Sequence, residues 1–235
     1  MASSVARRET RRAVDPDDAM MMRAAEMAAW ARKNATTIMI AAAVALVVVG
    51  AFLYYQFDRS ARAGRAARDY LQLQSAMAAD TGAAALRRLD SFAKQYSGTP
   101  EADAARLRMA EEYLKRGQAN QAMQALRPVA DGDGPLSYQG KSLLGAAQAA
   151  ANQRAQAIAT YIQAADESDL SYQKQEALQQ AALLREQAGD WRGALELYRR
   201  ILDTTEEGSL ERGIIQLRIT ESEARAAAGA AAPPR

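Results

Sequence analysis

One wholly apolar run interrupts an otherwise polar and amphipathic chain. Residues Asn34 to Phe57 carry no charge between Lys33 and Asp58, and Ile38 to Leu53 consists only of apolar side chains and one glycine. At about 1.5 Å per residue, a helix of this length crosses a hydrocarbon core of roughly 30 Å. The run is predicted to be a transmembrane helix, residues 34–57. A secretory signal is the rival reading, because Ala61-Arg62-Ala63 has the small-residue form of a cleavage site. The run is much longer than the roughly 7 to 15 residues of a signal core, and the segment ahead of it is long for a signal's basic start. An uncleaved anchor is therefore expected.

Beyond residue 58 the pattern becomes helical and repetitive. Gly189 is followed by Ala194, Tyr198 and Ile201; Gly117 by Ala122, Leu126 and Val129; Asn152 by Ala157, Tyr161 and Ala164. A weaker first copy holds Ala85, Leu89 and Phe92, and the four leading alanines stand 37, 35 and 37 residues apart. A period in the mid-thirties predicts stacked antiparallel helix pairs. Such pairs need small residues where they cross, here Ala110 with Ala122, Gly145 with Ala157, and Ala182 with Ala194. Gly or Asn at the turn permits a left-handed cap. Tyr113, Leu126, Leu144, Tyr161, Leu178 and Tyr198 are expected to fill the layers between pairs. Leu210, Ile214, Leu217 and Arg218, after Ser209 as a cap, predict a terminal helix that covers the last apolar face.

The expected organisation is a flexible basic tail (1–14), an amphipathic helix (15–33), the transmembrane helix (34–57), a helical repeat domain (58–225) and a flexible C-terminal tail (226–235). The amphipathic helix rests on Asp15 as a cap, Pro16 at the first helical position, and Met20, Ala24, Met27 and Ala31 on one face.

Charge adds direction. The segment before the apolar run holds seven basic and five acidic residues, and the rest of the chain has as many of one sign as of the other. A neutral surface of mixed sign argues against nucleic-acid binding. Arg23, Arg32 and Lys33 precede the run and Arg59, Arg62, Arg65 and Arg68 follow it, so the local positive count favours neither side. A large downstream domain is translocated regardless of its charge, whereas a short basic tail resists translocation. The N-terminus is thus expected in the cytoplasm and the domain outside, with Trp30 and Tyr54-Tyr55 at the two interfaces. The arginine series 59, 62, 65 and 68 is placed to meet anionic lipid head groups.

With neither His nor Cys, no Ser-His-Asp triad, cysteine nucleophile or zinc site of the usual ligands can be built. The chain is read as not an enzyme, with no cofactor, metal or small-molecule substrate. Gly134 to Ser142 resembles a phosphate loop, but five residues separate its glycines where the motif has four, and no strand precedes it. A proline turn before a helix that tolerates Gly140 is expected instead. Asp131-Gly132-Asp133-Gly134 resembles the start of a calcium loop, yet Ser142 stands where the closing Glu belongs.

Ala110, Tyr113, Gly117 and Ala122, then Leu144, Gly145, Ala157 and Tyr161, then Leu178, Ala182, Gly189, Ala194 and Tyr198 carry a resemblance to the tetratricopeptide repeat family over about residues 66–225. The Trp that opens each repeat of the family is missing and the spacing is irregular, which marks a divergent array. Residues 92–105 are similar to linkers of bacterial envelope repeat proteins. The layout resembles single-pass envelope members such as the ancillary tetratricopeptide subunit of the Sec translocon. The resemblance implies an all-α fold, with one transmembrane helix followed by about four divergent helical pairs and a capping helix. It also implies a periplasmic domain at the inner (cytoplasmic) membrane, partner binding and no catalysis.

Such arrays bind with the first helix of each pair, here through Ala104, Leu107, Arg108, Glu111 and Lys115; Gln139, Ser142, Leu143, Ala146 and Ala150; Glu176, Gln179, Gln180, Leu183 and Gln187. The Lys/Asn clamp for a terminal carboxylate is absent. The remaining side chains suit a helix or apolar segment of another protein. Leu107, Leu114 and Leu183 are the candidate partner contacts, and each can equally pack inside the array. Integral membrane proteins are the expected neighbours of the anchor. Three readings follow: a scaffold or accessory subunit that stabilises other proteins of a bacterial inner-membrane complex, a chaperone-like ancillary subunit of protein translocation, or a structural subunit of a photosynthetic or respiratory complex.

Overall fold

The computed structural model describes residue 21 and residues 26–30, 32–77 and 82–231, with side chains described to residue 228. The expected tail 1–14, the positions Met20, Ala24 and Ala31, and residues 232–235 lie outside the described residues. Among the described residues there are helices and no strand. They are α1 (Ala35–Met77), α2 (Ala83–Gln95), α3 (Pro100–Lys115), α4 (Ala119–Ala130), α5 (Ser137–Ala150), α6 (Arg154–Glu167), α7 (Ser171–Gln187), α8 (Trp191–Asp203) and α9 (Leu210–Ala231). The chain divides into two units at Arg59 and Ser60.

In the first unit, residues 26–30 and 32–33 are helical. Backbone bonds from Asn34 N–H to the Trp30 carbonyl (3.0 Å) and from Ile38 N–H to the Asn34 carbonyl (2.9 Å) carry the helical pattern into α1. The apolar part of α1 is exposed on every side, with Leu46 73%, Val47 71% and Phe52 58% accessible. Its most apolar 18-residue window has a mean hydropathy of 2.5 and none of it is buried, so the helix is long and apolar enough to cross a membrane. A helix that is apolar all round needs an apolar surround. The helix does not stop at Phe57. Alanine and arginine are good helix formers and no proline intervenes, so α1 continues to Met77.

In the second unit, the remainder of α1 packs its side chains on α2, and each later helix packs on its neighbours in sequence. The pairs α3/α4, α5/α6 and α7/α8 are closed by one repeated turn. Gly117, Asn152 and Gly189 sit at φ 70°, 61° and 74°. The N–H after each turn residue reaches back five positions: Gln118 to Tyr113 (2.9 Å), Gln153 to Gln148 (2.8 Å) and Asp190 to Arg185 (2.9 Å). This Schellman geometry satisfies carbonyls that the ending helix leaves open. The next helix then opens identically, with the Ala122, Ala157 and Ala194 N–H groups bonded to Gln118, Gln153 and Asp190. The Asp190 side chain also accepts from Gly193 N–H at 2.9 Å, and that bond holds its carboxyl below the usual range.

The crossings follow the expected small residues. Ala110, Ala122, Ala157, Ala182 and Ala194 are completely buried. At Gly145 the neighbour is a ring: a methyl there would lie 2.9 Å from Tyr161. Gly140 differs from expectation. It is not merely tolerated, because a Cβ would come within 2.9 Å of the Ala130 nitrogen and Val129 Cγ1. The backbones of α4 and α5 approach too closely there for any side chain. The neighbouring Lys141 is buried in α5 and ion-paired with Glu167 at 2.8 Å, so the stretch resembling a phosphate loop is an ordinary helix start.

Two apolar clusters form the core. One gathers Leu86, Leu89, Phe92, Tyr96, Met109, Met123 and Leu126 with alanines of α1 and of α2 to α5. The other gathers Tyr161, Leu178, Leu197, Tyr198, Ile201 and Ile215. Beside the second cluster Tyr138 donates to the Gln173 carbonyl (2.9 Å) and lies 3.0 Å from Glu176, and Thr160 of α6 donates to Gln148 of α5 at 2.7 Å.

The terminal helix covers the last pair, but not with the predicted face. Ile215 and Ser222 are buried and Ile219 is half-buried, while Leu210 (83%), Ile214 (51%) and Leu217 (69%) are exposed. Arg212 sets the rotation: its guanidinium donates to the Leu202 carbonyl at 3.1 Å and the Thr205 carbonyl at 2.9 Å, capping α8. Positions 212, 215, 219 and 222 therefore turn inward. Ser209 is the expected cap, accepting from Arg212 N–H at 3.2 Å. The helix runs past residue 225 to Ala231, through an alanine-rich stretch of high helix propensity.

Candidate interaction surface

The first-helix positions fall into two groups. Leu107, Leu114 and Leu143 are half-buried and pack against the first core cluster. Leu183 is half-buried on α7, beside the exposed Gln179, Gln180 and Gln187. The surface around them is largely satisfied. Arg108 pairs with Glu111 at 2.9 Å, Lys115 with Glu112 at 2.9 Å, and Glu176 lies 3.0 Å from the Tyr138 hydroxyl. Tyr138 is held protonated well above the usual range, by burial first and by the Glu176 bond second. Two of the three candidate leucines thus pack against the core.

The arginine series stays together only along the axis. Arg59, Arg62, Arg65 and Arg68 are all exposed. Steps of three residues turn each one by about 60° relative to the last, so the series winds over half the helix circumference. Arg68 donates to the Gly64 carbonyl of its own helix at 3.2 Å.

The structure adds a groove that the residue pattern did not reveal. It lies between residues 69–76 of α1 and α2, with a volume of about 700 Å³. Leu73 and Phe92 supply apolar walls, Arg87 and Arg88 basic ones, and Ser91 and Gln95 polar ones. Tyr96 closes one end by donating to the Asp69 carboxylate, and that bond, more than burial, raises its pKa. At the base of the same pair, Arg106 bonds Asp103 (3.0 Å) and the Ala93 carbonyl (3.2 Å), tying α3 to α2. Burial raises the Asp103 pKa despite that arginine. The groove combines apolar area, a cationic edge and amide groups, the chemistry that holds an apolar segment flanked by acidic residues. The signal for it was present in α2: Arg88, Ser91 and Gln95 follow helical steps opposite the buried Leu86, Leu89 and Ala93.

Residues 28–140 match the family model described as a tetratricopeptide repeat-like domain, a little under half of the chain. The match begins ahead of the apolar helix and ends inside α5, so it takes in the weakest copy of the pattern. No curated protein matches. A solved structure, the crystal structure of the MamA protein, is similar at 20% identity and a TM-score of 0.41, over 64% of this chain and 87% of that one. The fold and the family match together define a tetratricopeptide-like helical repeat domain, a class that supports a protein-interaction role.

Proposed function

We propose that this chain is a non-catalytic, membrane-anchored scaffold or accessory subunit that binds and stabilises other proteins of a bacterial inner-membrane complex. The observation that carries the reading is one continuous sequence of elements. A fully exposed apolar helix leads into helix pairs whose turns repeat one geometry at a period in the mid-thirties. An array of this kind offers extended surface, and an anchor confines it beside membrane proteins. The proposed topology keeps the N-terminus in the cytoplasm and the array in the periplasm, on the strength of the basic tail.

The winding of Arg59 to Arg68 suits head groups, which surround a helix on all sides, better than a protein groove, which meets one side. We assign these arginines to anionic lipid. Arg59→Gln with Arg62→Gln should lower the anionic lipid retained through detergent purification, and an unchanged lipid content removes this part of the reading.

Purification of the full chain from its native membranes in mild detergent tests the function. The expected result is a stoichiometric complex with integral membrane proteins. Recovery of the chain by itself under every mild condition would sink the accessory role. Co-purifying translocation components would select the ancillary translocation reading, and redox or light-harvesting subunits the energy-converting one. The chain lacks cysteine and Ala228 is exposed, so Ala228→Cys gives one labelling site. An impermeant thiol reagent should label it in intact spheroplasts. Labelling only after lysis reverses the topology.

A further inference from the structure

The outward face of α9 does not belong to the core, the groove or the first-helix surface. Leu210, Ile214 and Leu217 stand on it in steps of four and three residues, all largely exposed. Those steps are the four-three spacing of a coiled-coil seam.

We propose that this face binds the same face of a second copy of this chain, antiparallel, in the register that sets Ile214 against Leu217 of the second copy. Charge selects both the partner and the direction. In that register Glu211 lies opposite Arg218 of the second copy, and the two-fold symmetry makes the pair twice. The other flank brings Gly213 opposite Thr220, two uncharged residues. A Cβ on Gly213 would meet nothing within 4 Å, so the flank is open to close approach. A parallel arrangement sets no acidic residue opposite Arg218. A self-complementary patch is what a closed two-fold contact requires.

The register also limits the strength of the contact. Next along the seam stands Glu221, 3.6 Å from Arg218 and 3.7 Å from Arg225 of its own helix. In this register Glu221 faces Leu210 of the second copy, so the apolar seam is only two layers long, less than a standard stable interface of roughly 1,200 Å² uses. The dimer is therefore weak and reversible in solution, and confinement to a shared membrane raises its occupancy through effective concentration.

The test uses the full chain in detergent, with mass followed by sedimentation equilibrium over the micromolar range. Wild type is expected to show a monomer–dimer equilibrium. Leu217→Glu should be monomeric at every concentration, with helicity and melting temperature unchanged because the position is exposed. Glu211→Arg replaces two attractions by two repulsions and should raise the dissociation constant about tenfold at low salt. Arg218→Lys allows zero-length carboxyl–amine cross-linking between Glu211 and the introduced lysine. Within one helix, positions seven apart lie ~10 Å from each other, too far for that linkage, so it forms only between antiparallel copies. A wild-type mass that stays monomeric overturns the proposal, as does a dimer indifferent to Leu217→Glu. A dimer that ignores Glu211→Arg and gives no such cross-link refutes the antiparallel register. Cross-links from α9 to the groove between α1 and α2 would assign the stripe to a head-to-tail contact instead.

Discussion

At the front of the array, α1 and α2 meet through rings. Tyr70 of α1 and Phe92 of α2 have centroids 5.5 Å apart, and Tyr96, at the end of α2, stacks 4.8 Å from Phe92. At the back, α7 and α8 meet through Ala182 and Ala194, both completely buried. Rings hold two backbones apart and alanines let them close. The open groove accordingly lies in the first pair, and the last pair is tight. One repeat pattern therefore yields two kinds of surface, according to the volume of the side chains at the crossing. The first copy of the pattern is faint although its small residues Ala66 and Ala85 are buried too, because rings add to them at its crossing.

The comparison can be broken most directly at Phe92. If the rings hold the front pair together, Phe92→Ala should cost about 3 to 5 kcal/mol in urea unfolding. A cost under about 1 kcal/mol would mean that the groove wall carries no packing. A larger residue at the tight crossing is the converse experiment. Ala194→Leu should cost about 1 to 3 kcal/mol by overpacking, whereas Ala84→Leu, on the groove wall, should stay within about 0.5 kcal/mol. Equal losses at the two sites would erase the distinction between open and closed pairs.

Alkaline pH probes both ends together. Tyr138, Tyr161 and Tyr198 are pushed above the usual range by burial first, and Tyr96 by its bond to Asp69 first. For a raised folded value, the stability contributed is complete below the ordinary tyrosine pKa of 10.0 and is lost as pH climbs above it. The melting temperature should hold level to about pH 9 and then fall. Tyr138→Phe should make the fall shallower. The smallest effect belongs to Tyr198→Phe. The hydroxyl is buried facing Glu186 without a hydrogen bond of good geometry. Its removal should change stability by no more than about 0.5 kcal/mol, and a loss above about 1 kcal/mol would mean that the bond to Glu186 is made.

The turns were legible in the residues, because a left-handed position admits few residue types and Gly117, Asn152 and Gly189 recur at the repeat period. The crossings were legible for a related reason, since volume at a crossing is tightly constrained. The rotation of α9 was not. Leu210, Ile214 and Leu217 make a better amphipathic stripe than the true inner face of Arg212, Ile215, Ile219 and Ser222, which pattern alone ranks as polar. Only the carbonyls at the end of α8 reveal why Arg212 turns inward. The groove was only half legible: the polar face of α2 shows in its periodicity, but the separation of two helices that opens the groove does not. Leu107 and Leu114 were read as partner contacts that could equally pack inside the array, and they sit at the edge of the core, where hydropathy cannot separate the two roles.

The contacts of the array run almost wholly between helices adjacent in sequence, and this has a consequence for biosynthesis. A ribosome extends a chain by ~5 to 20 residues per second, so one pair of some 35 residues emerges over ~2 to 7 seconds. Helices form in about a microsecond, and domains rich in local contacts fold within milliseconds. Each pair can thus dock on the one before it while the next is still being made. The front of the molecule, with its groove, is finished well before α9 exists, and each newly made pair waits with an apolar face uncovered until the next helix docks. During synthesis the vulnerable surface is the moving end of the array, and α9 covers it once it follows α8 out of the ribosome.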